Sequence, residues 1–114
     1  MTNALVKLAY EAIDEKKGQD IMVIDISEVS SIADYFIIAS GSNARQVQAI
    51  SDSVTETLGK NGYLHKSIEG FEHANWILLD YGDTIIHIFN QEDRRFYDLE
   101  RIWRDGKLIE KDDL

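Results

Sequence analysis

The chain has 114 residues, a formal net charge of −9 and no cysteine. This length is that of one domain, and without cysteine there is no disulfide framework, no thiolate metal site and no Cys nucleophile. The negative charge opposes non-specific binding to nucleic acid or to an anionic membrane and favours basic partners.

No apolar run approaches the length of a membrane span, and the acidic, amphipathic N-terminal pattern has no cleavable hydrophobic block, so the expected location is the cytoplasm. Ala4, Leu5, Leu8, Ala9, Ala12 and Ile13 recur at helical spacing and predict a first helix. Thr2 or Asn3 can cap its start, Lys16 and Lys17 suit its C-terminal dipole, and Gly18 fits the residue after it. Residues 21–26 and 35–40 are short, β-rich runs whose near-continuous apolarity predicts strands covered on both faces. Ser42 is the expected N-cap of a second helix carrying Val47, Ile50, Val54 and Leu58 on one side and closed by Gly59 and Asn61-Gly62. Residues 64–68 read as a weaker strand, and 69–75 as a loop.

Residues 76–81 and 84–89 are apolar runs separated by Gly82-Asp83, a two-residue hairpin signal. This loop sets Trp76 opposite Phe89, Ile77 opposite Ile88, Leu78 opposite His87, Leu79 opposite Ile86, Asp80 opposite Ile85 and Tyr81 opposite Thr84. Moving the loop by one residue would oppose Asp80 to Asp83, a like-charge pair. Ile77, Leu79, Tyr81, Thr84, Ile86 and Ile88 then form a core face. Trp76, Leu78, Asp80, Ile85, His87 and Phe89 form a second face, too greasy for plain solvent and too polar for a plain core. Asn90 and Asp93 resemble a capping box, opening a third helix with Phe96, Leu99, Ile102 and Trp103 on its apolar side and Asp105-Gly106 at its end. Residues 107–114 read as a charged tail expected to be disordered, which leaves 1–106 as the domain. The order is α-β-β-α-β-β-β-α, an α/β (α+β) fold with a five-stranded mixed sheet and helices largely on one face. The mixed hairpin face would then lie at the surface.

Catalytic readings are weak. The Gly41-Ser42 turn between a strand and a helix resembles the Gly-Ser turn of nucleotidyltransferases, but the strand that follows holds none of the carboxylates that metal-assisted phosphoryl transfer needs. Asp25 and Asp34 are separated and precede the turn, and the spaced Gly-Lys-Ser/Thr of a phosphate-binding loop is missing. Capping is the preferred role for the turn. His65, His73 and His87 share no paired ligand spacing, so neither metal nor other cofactor is expected. Arg94, Arg95, Arg101 and Arg104 alternate with acids and read as intrahelical pairs. Trp76 shares its face with Asp80 and His87, which favours an interface anchor over simple core.

Residues 31–41 (SIADYFIIASG), Arg45-Gln46-Val47, Ala49-Ile50, Glu69-Gly70, residues 76–83 (WILLDYGD), Ile86-His87-Ile88-Phe89 and residues 95–103 (RFYDLERIW) together resemble the ribosomal silencing factor family, also called RsfS or Iojap. The resemblance runs through the expected third helix. It implies a nucleotidyltransferase-like fold without the enzyme's activity. It also implies binding to large-subunit ribosomal protein fourteen, steric obstruction of subunit joining, and repression of translation when nutrients run short. Family members also form homodimers, and organellar relatives act in ribosome biogenesis. The docking set expected on this basis is Trp76, Leu78 and Phe89 as apolar anchors, Asp80 and Glu69 as partners for basic side chains, His87 as a hydrogen-bonding group, and Gly70 and Tyr81 beside them. The competing readings are a nucleotidyltransferase-like enzyme, a ribosome biogenesis factor and a dimeric regulator with another protein partner.

Overall fold

The computed structural model describes residues 4–91 and 106–114. The first helix, α1, spans Ala4–Glu15 and buries Val6, Ala9, Ala12 and Ile13. Leu5 and Leu8 flank this stripe half-buried, while Val6, absent from the expected stripe, is fully enclosed. The helix ends in a Schellman turn: the Gly18 N–H donates to the Ile13 carbonyl and the Lys17 N–H to the Asp14 carbonyl. The left-handed residue is Lys17 (φ 61°), not Gly18. Gly18 is required for another reason, because a Cβ there would strike the Ile13 side chain.

β1 (Gln19–Asp25) and β2 (Tyr35–Gly41) are antiparallel neighbours, and α2 (Ala44–Lys60) carries the chain across the sheet. The helix begins at Asn43 rather than at Ser42, since the Asn43 carboxamide oxygen accepts the Gln46 N–H at 2.9 Å. The expected strand at 64–68 shrinks to β3, Ser67–Glu69. β4 (Trp76–Asp80) and β5 (Thr84–Asn90) form the hairpin, and every pair from Trp76↔Phe89 to Asp80↔Ile85 has the register derived from the sequence. Gly82, at φ 86°, takes the first loop position. The expected third helix from residue 92 falls outside the described residues.

The tail departs from expectation. Residues Lys107–Ile109 are not disordered but form β6, antiparallel to β1, followed by a single 3₁₀ turn at Lys111–Asp113. The described sheet therefore has six strands instead of five, in the order β3-β4-β5-β2-β1-β6. It is mixed, because β2 and β5 run parallel while the other neighbouring pairs are antiparallel. Both α1 and α2 pack on one face, over Val23, Ile37, Ala39, Ile77, Leu79, Ile86 and Ile88. The opposite face carries a second apolar cluster: Ile24, Ile26, Ala33, Phe36, Ile38 and Phe89, with Met22, Trp76 and Ile85 at its margin.

Candidate docking surface

The mixed hairpin face lies opposite α1 and α2, as its alternation required, but it is not uniformly exposed. On this face β5 is third in the sheet, with β2 beside it. In the parallel register His87 lies next to Ile38 and Phe89 next to Ser40. Phe89 is 1% exposed and His87 4%. Their side chains are enclosed rather than exposed, against the expectation that both stand at the surface. Toward the β3 edge the face opens. Trp76, Leu78, Asp80 and Ile85 are half-buried, and Glu69 is exposed. β3 pairs Glu69 with Leu78 and Ser67 with Asp80, which carries the face outward from the hairpin.

Trp76 is the hub. Its indole stacks on Phe89, with centroids 5.0 Å apart and planes 25° apart. The indole Nε1–H donates to Nδ1 of His87 at 3.0 Å. The His87 ring in turn lies 4.8 Å from Phe36 and nearly parallel to Phe89 at 6.3 Å. Burial pushes the His87 pKa down to about 4, so the imidazole is neutral at pH 7. An imidazole accepting at Nδ1 carries its proton on Nε2, and Nε2 has no hydrogen-bond partner among the described residues.

Two other expected members have different placements. Asp80 is half-buried, and its carboxylate accepts the Gly82 N–H at 2.8 Å, so it braces the hairpin turn as well as contributing charge. Tyr81 lies on the helix side of the sheet, packed against the main core, with burial raising its pKa. Tyr81 thus stands half-buried on the face opposite the mixed hairpin face. Ile85, which the alternation places on the mixed face, is half-buried at the margin of the second apolar cluster.

Gly70 acts through the backbone. It sits at φ 80°, and a Cβ there would run into the Trp76 carbonyl oxygen. The loop it opens is closed by the Ala74 N–H donating to the Gly70 carbonyl, and α2 holds it through Gln48 Nε2 to the Phe71 carbonyl at 2.8 Å. Gly70→Ala combines a disfavoured φ with a backbone clash that cannot relax by side-chain rotation. We expect it to destabilise the fold by about 2 kcal/mol. Chemical denaturation beside Gly59→Ala, where a Cβ meets open space, measures the difference.

In the Gly41-Ser42 turn both donors of Ser42 are engaged. Gln46 Oε1 accepts both the Ser42 N–H at 2.6 Å and the Ser42 hydroxyl at 2.8 Å, and Gln46 Nε2 reaches back to the Lys16 and Lys17 carbonyls. This ties the end of β2 to the end of α1. Asp25 is likewise occupied: the Ser27 hydroxyl and N–H bond its carboxylate and hold its pKa below the ordinary value.

The whole chain, residues 1–114, matches the family model described as ribosomal silencing factor during starvation. It is 38% identical over 109 residues to the ribosomal silencing factor RsfS of Bacillus subtilis, covering 96% of this chain and 92% of that one. It is 45% identical over 103 residues to the Zymomonas mobilis RsfS, covering 90% and 77%. A crystal structure of a Chromobacterium violaceum protein superposes with a TM-score of 0.85 at 37% identity, covering 87% of this chain and 82% of that one. The fold, its mixed sheet and the matches along its length agree: this chain belongs to the ribosomal silencing factor family.

Proposed function

We propose that the protein represses translation as a non-enzymatic binding module. It binds ribosomal protein fourteen on the large subunit through Trp76, Leu78, Ile85, Asp80 and Glu69, and its bulk obstructs the small subunit. The observation that carries this reading is the open margin of the second sheet face. There a half-buried tryptophan stands among apolar neighbours with two carboxylates at its rim, a pattern suited to anchoring on a basic protein. The net charge of −9 favours the same kind of partner. Catalysis has no place in the reading, because the backbone and hydroxyl of Ser42 are committed to Gln46. The setting is the cytoplasm under nutrient limitation. A homodimer would draw on the same surface, so a second copy and the ribosome compete for it.

Mixing separated subunits with excess protein is the test. Joining should fail without any energy source, while ribosomes already joined, whose docking surface is covered, should persist on a sedimentation profile. Glu69→Lys and Asp80→Asn, the latter keeping an acceptor for the Gly82 N–H, should each slow association with isolated large subunits on the order of a few-fold, and less in high salt. Normal joining with the protein demonstrably bound would end the steric mechanism. Accumulation of unfinished large subunits in cells lacking it would point to assembly instead.

A further inference from the structure

We infer that His87 is the positioning residue of this surface: it fixes the Trp76 indole by accepting its N–H and touches no partner itself. The inference rests on the docking role proposed above for Trp76.

The geometry has three parts. His87 stands two residues before Phe89, the residue directly opposite Trp76, so it is the diagonal neighbour of Trp76 on the same face. From there it receives the indole N–H at 3.0 Å while Phe89 stacks on the indole plane. Stacking alone leaves the ring free to slide in its plane. A hydrogen bond at the ring edge removes that freedom, and the two together define one orientation. Finally, the imidazole is itself held, buried to 4% exposure between Phe36 and Phe89. A side chain fixed before association does not have to be ordered during it, and that saving appears as affinity.

The arrangement also bears on what the partner offers. With the indole N–H directed inward to His87, Trp76 meets its partner with carbon rather than with a donor. The partner's receiving patch is therefore apolar at its centre, and the basic groups belong around it, facing Glu69 and Asp80.

Three variants and one wild-type measurement test the inference. His87→Phe keeps an aromatic ring and removes the acceptor. His87→Asn keeps an acceptor near the position of Nδ1. Trp76→Ala removes the anchor. Affinity for purified large subunits should fall about three- to tenfold in His87→Phe, and His87→Asn should restore most of it. In ¹⁵N spectra the chain gives two indole signals, from Trp76 and Trp103. The Trp76 signal should exchange with solvent faster in His87→Phe and slowly in His87→Asn, a readout that lost packing volume would not separate. In the wild-type protein the His87 imidazole should be the Nε2–H tautomer, which needs no variant to fold.

An Nδ1–H tautomer would overturn the inference outright. So would equal losses in the Phe and Asn variants. If Trp76→Ala weakens binding while a folded His87→Phe binds as wild type, the docking surface stands and the positioning role falls. If Trp76→Ala itself binds unchanged, the docking surface is what has failed, and the positioning role falls with it.

Discussion

Replacing Trp76 by alanine is expected to weaken binding to the large subunit about thirtyfold, or about 2 kcal/mol, the usual effect of truncating a central aromatic anchor. The same change acts on the fold. It removes the stack on Phe89 and leaves Nδ1 of His87, a buried acceptor, without its donor. An unpaired buried acceptor costs about 1–3 kcal/mol, so the variant should also unfold at lower denaturant. Binding must therefore be measured on protein shown to be folded. Trp76→Phe separates the two effects: it keeps the stacking and loses the N–H, so it should recover part of the affinity. A folded Trp76→Ala that binds as tightly as wild type would remove this residue, and with it the surface, from the mechanism.

The second large effect is a loss of stability in mild acid. In the unfolded chain His87 titrates near the ordinary histidine value of about 6.5. In the fold burial holds it to about 4. Above pH 6.5 both states are neutral and His87 contributes no pH dependence. Between pH 6.5 and 4 the unfolded chain takes up a proton that the fold refuses, and stability falls with pH. Across that window the loss comes to about 3 kcal/mol. Below pH 4 the fold protonates too, and the contribution levels off. Denaturant titrations at pH 7 and pH 4.5 measure it, with His87→Phe as the comparison. The carboxylates titrate in both proteins, so the difference between the two slopes belongs to His87. Equal slopes would mean that His87 is not the group responsible.

Acidification reaches the surface only where the fold itself takes up the proton, near and below pH 4. A protonated His87 carries hydrogens on both ring nitrogens and cannot accept from the indole. Trp76 thus loses its edge contact near and below pH 4, after most of the stability loss has already occurred.

The hairpin was legible residue by residue because three constraints coincided there. Gly82-Asp83 fixed the loop, the apolar alternation fixed the faces, and the Asp80–Asp83 conflict excluded the neighbouring register. The helix starting near residue 44 was equally plain, but its cap was not. Ser42 and Asn43 are adjacent cap-forming residues, and the choice turns on Gln46. Its backbone N–H goes to Asn43 and its side-chain oxygen to Ser42, an arrangement fixed by the distant Lys16 and Lys17 carbonyls.

Strand order lay beyond the local pattern, and the site depended on it. Alternation placed His87 and Phe89 on the correct face, but how deeply each is buried depends on tertiary packing that the local pattern does not carry. The same holds for β6. Lys107, Leu108 and Ile109 form a short run with no hairpin turn leading back to the strand they pair with, β1, whose register with them begins at Val23. Tyr81, by contrast, was assigned to the core side by alternation alone, and the structure places it there.

The two outermost strands, β3 and β6, are three residues long, whereas the seven-residue strands β1, β2 and β5 lie inside. Sheet margins carry unpaired backbone groups that can template growth by another extended chain. Here each margin is too short to offer a long ladder, and Lys107 and Glu69 put charge on them. Without β6, the backbone of β1 at Val23, Ile24 and Asp25 would become part of the sheet margin. Lys107–Ile109 thus occupies that stretch of β1 and withholds its backbone groups from another extended chain.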